Sequence, residues 1–250
     1  MAKPIIIANW KNFPNSLPEA RDLLKEYSKK KALYSKTAFF VAPPAPYLEL
    51  VSKSFAKLGS QDLVSDGKGA HTGAVSVETL KSFGVKLAII GHSERRALGE
   101  TSAEVALKVK AALKASITPV VCVGELSRDG DGEHFSFLQE EIKSSLVGLN
   151  KKDLKKVIIA YEPIWAIGKS SKDAIKPEDL SQTIIFIKKV LSDLFGRTAA
   201  EETPIIYGGS VEPGDAQILV DTGVAGFLVG HAALSAKNLQ GIVETIFQKE

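Results

Sequence analysis

Eight short apolar segments rich in Val and Ile recur along this chain at intervals of about 32 residues. Their hydrophobicity is continuous rather than alternating, which is typical of strands covered on both faces in a parallel sheet. An interval of this length holds one strand and one returning helix. We therefore predict strands at Ile5–Ala8, Thr37–Ala42, Leu58–Gln61, Leu87–Gly91, Thr118–Val123, Val157–Tyr161, Pro204–Tyr207 and Gly226–Val229.

Amphipathic helical patterns lie between these segments. Ser16 and Pro18 indicate a helix start before 20–30, and further helices are predicted at 102–115, 176–195, 215–220 and 235–248. In the helix predicted at 176–195, the inward-facing side chains are expected to be Ile184, Ile187, Val190, Leu191 and Leu194. Strands alternating with helices, without a break in composition, predict an α/β fold in which residues 1–250 form one (β/α)8 barrel. The alternative is an open doubly wound sheet, but no Gly-x-Gly-x-x-Gly follows the first strand.

The length and composition of the chain limit the classes of protein to which it can belong. A chain of 250 residues suits one barrel of this kind, and 44% hydrophobic with 24% charged residues is typical of a soluble globular protein. The net charge of +3 is too small to indicate a nucleic-acid partner. Cys122 is the one cysteine, so a disulfide framework is excluded. The sequence shows neither a signal peptide nor a long apolar span, and we expect a cytoplasmic protein without a membrane partner.

Polar residues collect just after the predicted strands. The carboxyl ends of the strands form the chemical face of such a barrel, so these residues are expected to share one site. They are Asn9, Lys11, His92, Ser93, Glu94, Glu125, Glu162, Gly208, Gly209, Ser210, Gly230 and His231.

Glu162 is the candidate base. A carboxylate at a barrel rim is by itself most simply paired with a neighbouring lysine or arginine. Here, however, Pro163, Ile164 and Trp165 lead into a small polar tip, which is the composition of a lid that excludes water. Removing water from a carboxylate raises its basicity, so Glu162 is predicted to abstract a carbon-bound proton beside a carbonyl.

His92 and Lys11 are the candidate electrophiles. A lone histidine is more often structural, but His92 precedes an apparent helix start at Ser93, whose positive end disfavours an imidazolium. A neutral imidazole can donate its N–H to a carbonyl oxygen. Lys11 follows a buried strand beside Asn9, and its ammonium could stabilise a developing enediolate oxygen and attract a phosphate.

The glycine-containing loops after the last two strands suit an anion. Glycines let the backbone approach a phosphate, and Gly208-Gly209-Ser210 and Gly230 stand where such barrels commonly bind one. Cys122 lies inside a strand and is predicted to pack rather than react. The four histidines lack metal-ligand spacing, so the residues indicate no metal site.

Together these motifs closely resemble those of the triosephosphate isomerase family, over the whole chain. The resemblance rests on the segments 8–11, 91–96, 122–125, 161–168, 207–211 and 226–230. It implies a TIM barrel that interconverts dihydroxyacetone phosphate and D-glyceraldehyde 3-phosphate in glycolysis and gluconeogenesis. The resemblance also implies that no cofactor and no metal is needed. Two other functions remain open from the residues alone: another phosphate-binding barrel enzyme, such as an aldolase or a pyridoxine-type synthase, and a non-catalytic binding scaffold.

The resemblance also implies a role for each catalytic candidate. Glu162 removes a proton from C1 of dihydroxyacetone phosphate or C2 of glyceraldehyde 3-phosphate, and His92 shuttles protons through an enediolate. Lys11 and Asn9 stabilise the oxygens, and Glu94 pairs with Lys11. The backbone N–H groups of Gly168, Ser210 and Gly230 hold the phosphate.

The remaining implied roles concern the lid and assembly. Pro163, Ile164 and Trp165 belong to the lid, Ser93 bonds Glu162 while the lid is open, and Tyr207 with Ser210 latches it closed. The family dimerises through the loop after the third strand, here 62–75, from which Thr72 reaches the neighbouring active site. We therefore expect a homodimer.

Four departures from the family pattern carry expectations. His231 replaces a second phosphate-binding glycine. If its φ is negative, its backbone N–H can still bind the phosphate, whereas a positive φ predicts backbone strain. Its imidazole could instead add charge near the phosphate. The lid tip at 168–172 is about two residues longer, so closure is expected to change. Ala74 replaces a glutamate that pairs across the dimer, leaving Arg95 without that partner and predicting a weaker dimer. Residues 12–14 predict a different start for the first helix, and Asp62 replaces an asparagine.

Overall fold

The computed structural model describes residues 2–67, 69–128, 132–166 and 175–248. Eight parallel strands close into a barrel in chain order, which excludes the open sheet. Each strand begins and ends within one residue of its predicted position. The strands are β1 (Ile5–Asn9), β2 (Ala38–Ala42), β3 (Lys57–Ser60), β4 (Leu87–Ile90), β5 (Thr118–Val123), β6 (Ile158–Tyr161), β7 (Ile205–Tyr207) and β8 (Gly226–Val229).

Helices surround the barrel in the part of the chain that the structure describes. They are α1 (Leu17–Ser28), α2 (Lys31–Tyr34), α3 (Leu48–Ser52), α4 (Val77–Ser82), α5 (Ser93–Ala97), α6 (Ser102–Lys114), α7 (Glu133–Ser145), α8 (Lys151–Leu154), α9 (Pro177–Phe195), α10 (Arg197–Glu202), α11 (Ala216–Asp221) and α12 (Ala236–Ile246). Short 3₁₀ turns occur at Ala45–Tyr47, Ile164–Ala166 and His231–Leu234. Ser16 caps α1 by accepting the N–H of Glu19, as its sequence pattern predicts.

Alternate strand residues belong to two apolar clusters. In β4, for example, Leu87 and Ile89 join the smaller cluster, whereas Ala88 and Ile90 join the larger one. Since side chains alternate across a strand, the smaller cluster fills the barrel and the larger one lies between barrel and helices. This two-sided burial explains why the strands are continuously hydrophobic in sequence.

The prediction that Leu194 faces inward was wrong. Leu194 of α9 is 41% exposed, while Leu191 and Phe195 are buried. Adjacent helical positions differ by about 100° around the axis, and Phe195 occupies the inward position at the end of the helix. An apolar residue next to the inward face was therefore mistaken for part of it.

The barrel closes where β8 pairs with β1. Gly226 lies opposite Ile5 in this pairing and has a φ of 145°. A β-carbon at Gly226 would lie 1.9 Å from the carbonyl oxygen of Ile5. Only glycine lets the first and last strands approach this closely, and their carboxyl ends then place Asn9 and Gly230 on the same rim.

Candidate active site

Residues from four strand ends line one cleft of about 650 Å³ at the carboxyl end of the barrel. Asn9 and Lys11 come from β1, His92 from β4, Gly208 to Ser210 from β7, and Gly230 and His231 from β8. Loops carry these residues, but each loop starts from a strand fixed in the barrel. Eight of the twelve strand-end residues predicted to share a site thus line one cleft.

Glu162 lies in contact with His92, which lines the cleft. Glu162 follows β6, its side chain is 2% exposed, and its Oε1 is 3.2 Å from Nε2 of His92. Its Oε2 accepts the backbone N–H of Ser93 at 2.9 Å. Oε1 has no hydrogen-bond partner among the described residues. A buried carboxylate oxygen without a donor is well placed to accept a proton.

The hydrogen bond at Nδ1 determines the form of the His92 ring. His92 is the N-cap of α5, and its Nδ1 accepts the backbone N–H of Glu94 at 3.2 Å. A nitrogen that accepts a hydrogen bond carries no proton, so the ring is neutral with its proton on Nε2. Nε2 of the ring is also the nitrogen that lies 3.2 Å from Oε1 of Glu162.

Lys11 is held by both its backbone and its ammonium. Its φ is 51°, an unusual left-handed conformation for a lysine, and its N–H donates to Oδ1 of Asn9 at 3.0 Å. Its Nζ lies 2.6 Å from Oε1 of Glu94, as the resemblance implies. Gln61 donates to the carbonyl oxygens of Lys11 and Ala42, at 2.7 and 2.9 Å. This role of Gln61 is not predictable from sequence, because a glutamine at the end of a strand has no distinctive pattern.

The phosphate candidates line the same cleft, together with Asn238 of α12. His231 has a negative φ and begins a 3₁₀ turn, so the strain considered for a positive φ is absent and its N–H remains available. Its side chain is exposed and lines the cleft. Gly168 lies outside the described residues, as does the lengthened tip at 168–172.

The described start of the candidate lid is fastened to the barrel. Trp165 donates its indole N–H to Oε1 of Glu125 at 2.8 Å, and Tyr161 donates its hydroxyl to the same oxygen at 2.8 Å. Ser210 donates to the carbonyl oxygen of Ala166 at 3.2 Å. The Tyr207 hydroxyl has no partner among the described residues. Glu125 was noted only as a strand-end residue; its contact with Trp165 depends on the tertiary fold.

Arg95 has a partner within its own chain. Its Nη2 lies 2.8 Å from Oδ2 of Asp62, and Lys108 Nζ lies 2.6 Å from Oδ1 of the same carboxylate. Lys108 also pairs with Glu100. Thus Asp62, noted in sequence as a departure, satisfies the arginine for which Ala74 leaves no partner. This compensation joins residues far apart in sequence and could not be predicted from the chain alone.

Three further observations complete the site. Cys122 is buried inside the barrel; burial and the Glu162 carboxylate raise the pKa of its thiol well above its usual range, so it stays protonated. Among the described residues, no three His, Cys, Asp or Glu side chains cluster closely enough to hold a metal ion. No helix in the described part of the chain is long and apolar enough to cross a membrane.

Comparison with known proteins agrees with this geometry. A family model described as triosephosphate isomerase matches residues 4–246. Among curated proteins, the chain is 41% identical over 249 residues to a triosephosphate isomerase of Dehalococcoides mccartyi, covering 97% of this chain and 96% of the relative. It is 38% identical over 251 residues to one of Citrifermentans bemidjiense, covering 97% and 98%. It is 35% identical over 253 residues to one of Flavobacterium psychrophilum, covering 98% and 100%.

Proposed function

The chain belongs to the triosephosphate isomerase family, and from that membership we propose how its own residues interconvert dihydroxyacetone phosphate and D-glyceraldehyde 3-phosphate, a step of glycolysis and gluconeogenesis. The observation that carries the proposal is the buried contact between Glu162 Oε1 and Nε2 of a neutral His92. It supplies a base and a proton donor side by side, which is what transfer of a proton between adjacent carbons requires.

Glu162 is the proposed base. Its carboxylate takes a proton from C1 of dihydroxyacetone phosphate, and the electron pair of that C–H bond forms the carbon–carbon double bond of an enediolate. Nε2–H of His92 donates to the oxygen on which negative charge develops. Return of the proton from Glu162 to C2, with proton exchange between the two oxygens through His92, gives glyceraldehyde 3-phosphate. The reverse reaction follows the same steps backwards.

Lys11 and Asn9 are the proposed oxygen-stabilising residues. The Lys11 ammonium lines the cleft and is oriented by Glu94 rather than left in bulk solvent. A positioned cation stabilises developing negative charge without reorganising during the reaction. Backbone N–H groups of Gly168, Ser210, Gly230 and His231 are proposed to hold the phosphate, supported for the last three by their place in the cleft.

The segment beginning at Pro163, Ile164 and Trp165 is the proposed lid. Ser93 would hold Glu162 while the lid is open, and Tyr207 with Ser210 would latch the closed lid. The hydrogen bonds from Ser93 to Glu162 and from Ser210 to Ala166 support the first role and part of the second. Exclusion of water over the site strengthens every interaction with the enediolate.

We further propose that the chain acts as a cytoplasmic, single-domain homodimer. A second cleft of about 580 Å³ lies beside Lys11 and Glu94 and is bordered by Thr72 and Arg95. A loop from a neighbouring subunit could enter there and bring its Thr72 against the site. The cleft's continuity with the catalytic residues supports assembly through residues 62–75.

The roles are tested by a coupled assay of glyceraldehyde 3-phosphate isomerisation. Glu162→Asp withdraws the carboxylate by one methylene, and Glu162→Gln removes the base. We expect the second change to lower kcat by about 10²- to 10⁴-fold, with a smaller loss for the first. Glu49→Gln, at a fully exposed carboxylate of α3, should keep wild-type activity. Equal activity of the wild type and Glu162→Gln would rule out the proposed base.

A further inference from the structure

Arg96 joins the ends of two strands beneath the active site. Its Nε donates to the carbonyl oxygen of Gly91 at 2.8 Å, and its Nη2 donates to that of Cys122 at 3.2 Å. Gly91 directly follows β4 and precedes His92, whereas Cys122 lies near the end of β5. The guanidinium therefore holds the backbone that supports the imidazole against the neighbouring strand.

The same guanidinium is anchored to the surrounding helices. Nη1 donates to Oγ of Ser102 in α6 at 3.0 Å, and Nη2 donates to Oγ of Ser145 in α7 at 3.1 Å. The Arg96 side chain is 14% exposed. Because the planar guanidinium presents its donors in a fixed fork, its orientation is set by these four acceptors together.

Glu141 of α7 continues the connection toward the proposed base. Its Oε1 lies 3.3 Å from Nε of Arg96, and its Oε2 accepts the backbone N–H of Gly124 at 2.7 Å. Gly124 packs so tightly on the next strand that a β-carbon there would lie 1.8 Å from the carbonyl oxygen of Glu162. Glu162 in turn donates its backbone N–H to Val123 at 2.8 Å.

These contacts form one path from the backbone of His92 to that of Glu162. Burial raises the pKa of the Glu141 carboxyl, while the Arg96 guanidinium and the Gly124 N–H favour its charged form. A buried ion pair contributes little net stability compared with apolar side chains of the same volume. What the pair does supply is fixed geometry, since its hydrogen bonds reach the main chain on both sides of the site.

We propose that Arg96 and Glu141 are positioning residues for the isomerisation, which set the separation between His92 and Glu162 through the ends of β4, β5 and β6. Neither side chain touches substrate. The proposal rests on the roles assigned above to His92 and Glu162. A displacement of about 1 Å at such a pair can lower a rate by about 10²-fold.

The first test separates turnover from binding. Glu141→Gln and Arg96→Lys should each lower kcat by about 10- to 100-fold. The KM should stay within about twofold, because the hydrogen bonds described above for Arg96 and Glu141 go to the ends of β4 and β5 and to α6 and α7, rather than to the phosphate loops after β7 and β8. Val190→Ala, a buried truncation within α9, is a control for lost stability alone and should keep kcat. A kcat that falls equally in the control, or that remains unchanged in both pair variants, would overturn the proposal.

The second test separates positioning from folding. The double variant Arg96→Met with Glu141→Leu removes both buried charges and fills similar volumes, so its thermal stability should approach that of the wild type. Its kcat should stay low, since Gly91, Cys122 and Gly124 lose their side-chain partners. Recovery of kcat together with stability would show that the pair serves only folding.

Failure of this inference can be told from failure of the proposed function. If Glu162→Gln is inactive while the Arg96 and Glu141 variants turn over normally, the positioning role falls and the catalytic roles stand. If Glu162→Gln is fully active, the proposed catalytic roles themselves are wrong.

Discussion

At the scale of single residues, three side chains at the catalytic centre are each oriented by a backbone N–H group. The N–H of Glu94 donates to Nδ1 of His92, the N–H of Ser93 holds one oxygen of Glu162, and the N–H of Lys11 donates to Oδ1 of Asn9. Backbone donors cannot rotate away as side chains do. The orientation of these three side chains therefore depends on strand ends and helix starts.

His231 places an exposed imidazole in the cleft where the resemblance implies a glycine. An imidazole N–H can donate a hydrogen bond to the substrate phosphate. We expect His231→Gly to raise KM about two- to fivefold, as for the loss of one exposed polar contact, and to leave kcat unchanged.

Steady-state kinetics of each variant beside the wild type measures both constants. His134→Gln, at a histidine of α7 outside the cleft, should leave KM unchanged. An unchanged KM for His231→Gly as well would show that the imidazole takes no part in phosphate binding.

At the scale of elements, the strands were predictable because a parallel barrel strand is buried on both faces. The continuous apolar runs, such as Thr118–Val123, specify this burial locally. Strand-end residues such as His92 and Glu162 could be assigned to one site for the same reason. The contacts of Glu125, Gln61 and Asp62 could not, because they join loops whose proximity exists only in the folded barrel.

Closure of the barrel gives a prediction for β8. Gly226→Ala forces a β-carbon against the backbone of Ile5 at a φ that favours glycine, so β1 and β8 must separate. We expect the free energy of unfolding to fall by about 4 kcal/mol or more, an exceptional loss for one methyl group.

Urea denaturation measures this difference. Gly214→Ala is the matched control, because a β-carbon at Gly214 meets no atom within 4 Å. It should change the free energy of unfolding by no more than about 0.5 kcal/mol. Similar stability of the two variants would contradict the close approach of the first and last strands.

At the scale of the whole molecule, four charged residues near the predicted interface are paired inside the chain. Asp62, Arg95, Lys108 and Glu100 form a connected group of two acids and two bases. Since Arg95 is already paired, association through residues 62–75 need not rely on an ion pair across the interface. The remaining contributions there come from packing and from hydrogen bonds.

We predict a homodimer at low micromolar concentration, with twice the 26.8 kDa mass of the chain. Thr72→Arg introduces a long charged side chain into the proposed interface and should shift the protein toward monomer with a lower kcat. Sedimentation velocity together with activity at the same concentration measures both effects. A stable wild-type monomer with full turnover would overturn the assembly proposed here.

The left-handed backbone at Lys11 has a consequence for engineering. Holding a lysine at a φ of 51° costs on the order of 1–3 kcal/mol, whereas glycine adopts that conformation freely. Glycine at position 11 would therefore favour thermal stability, whereas turnover requires the lysine. A library of variants at position 11 that is selected only for thermostability would enrich glycine and lose the lysine ammonium. Such a selection therefore needs a parallel selection for isomerase activity.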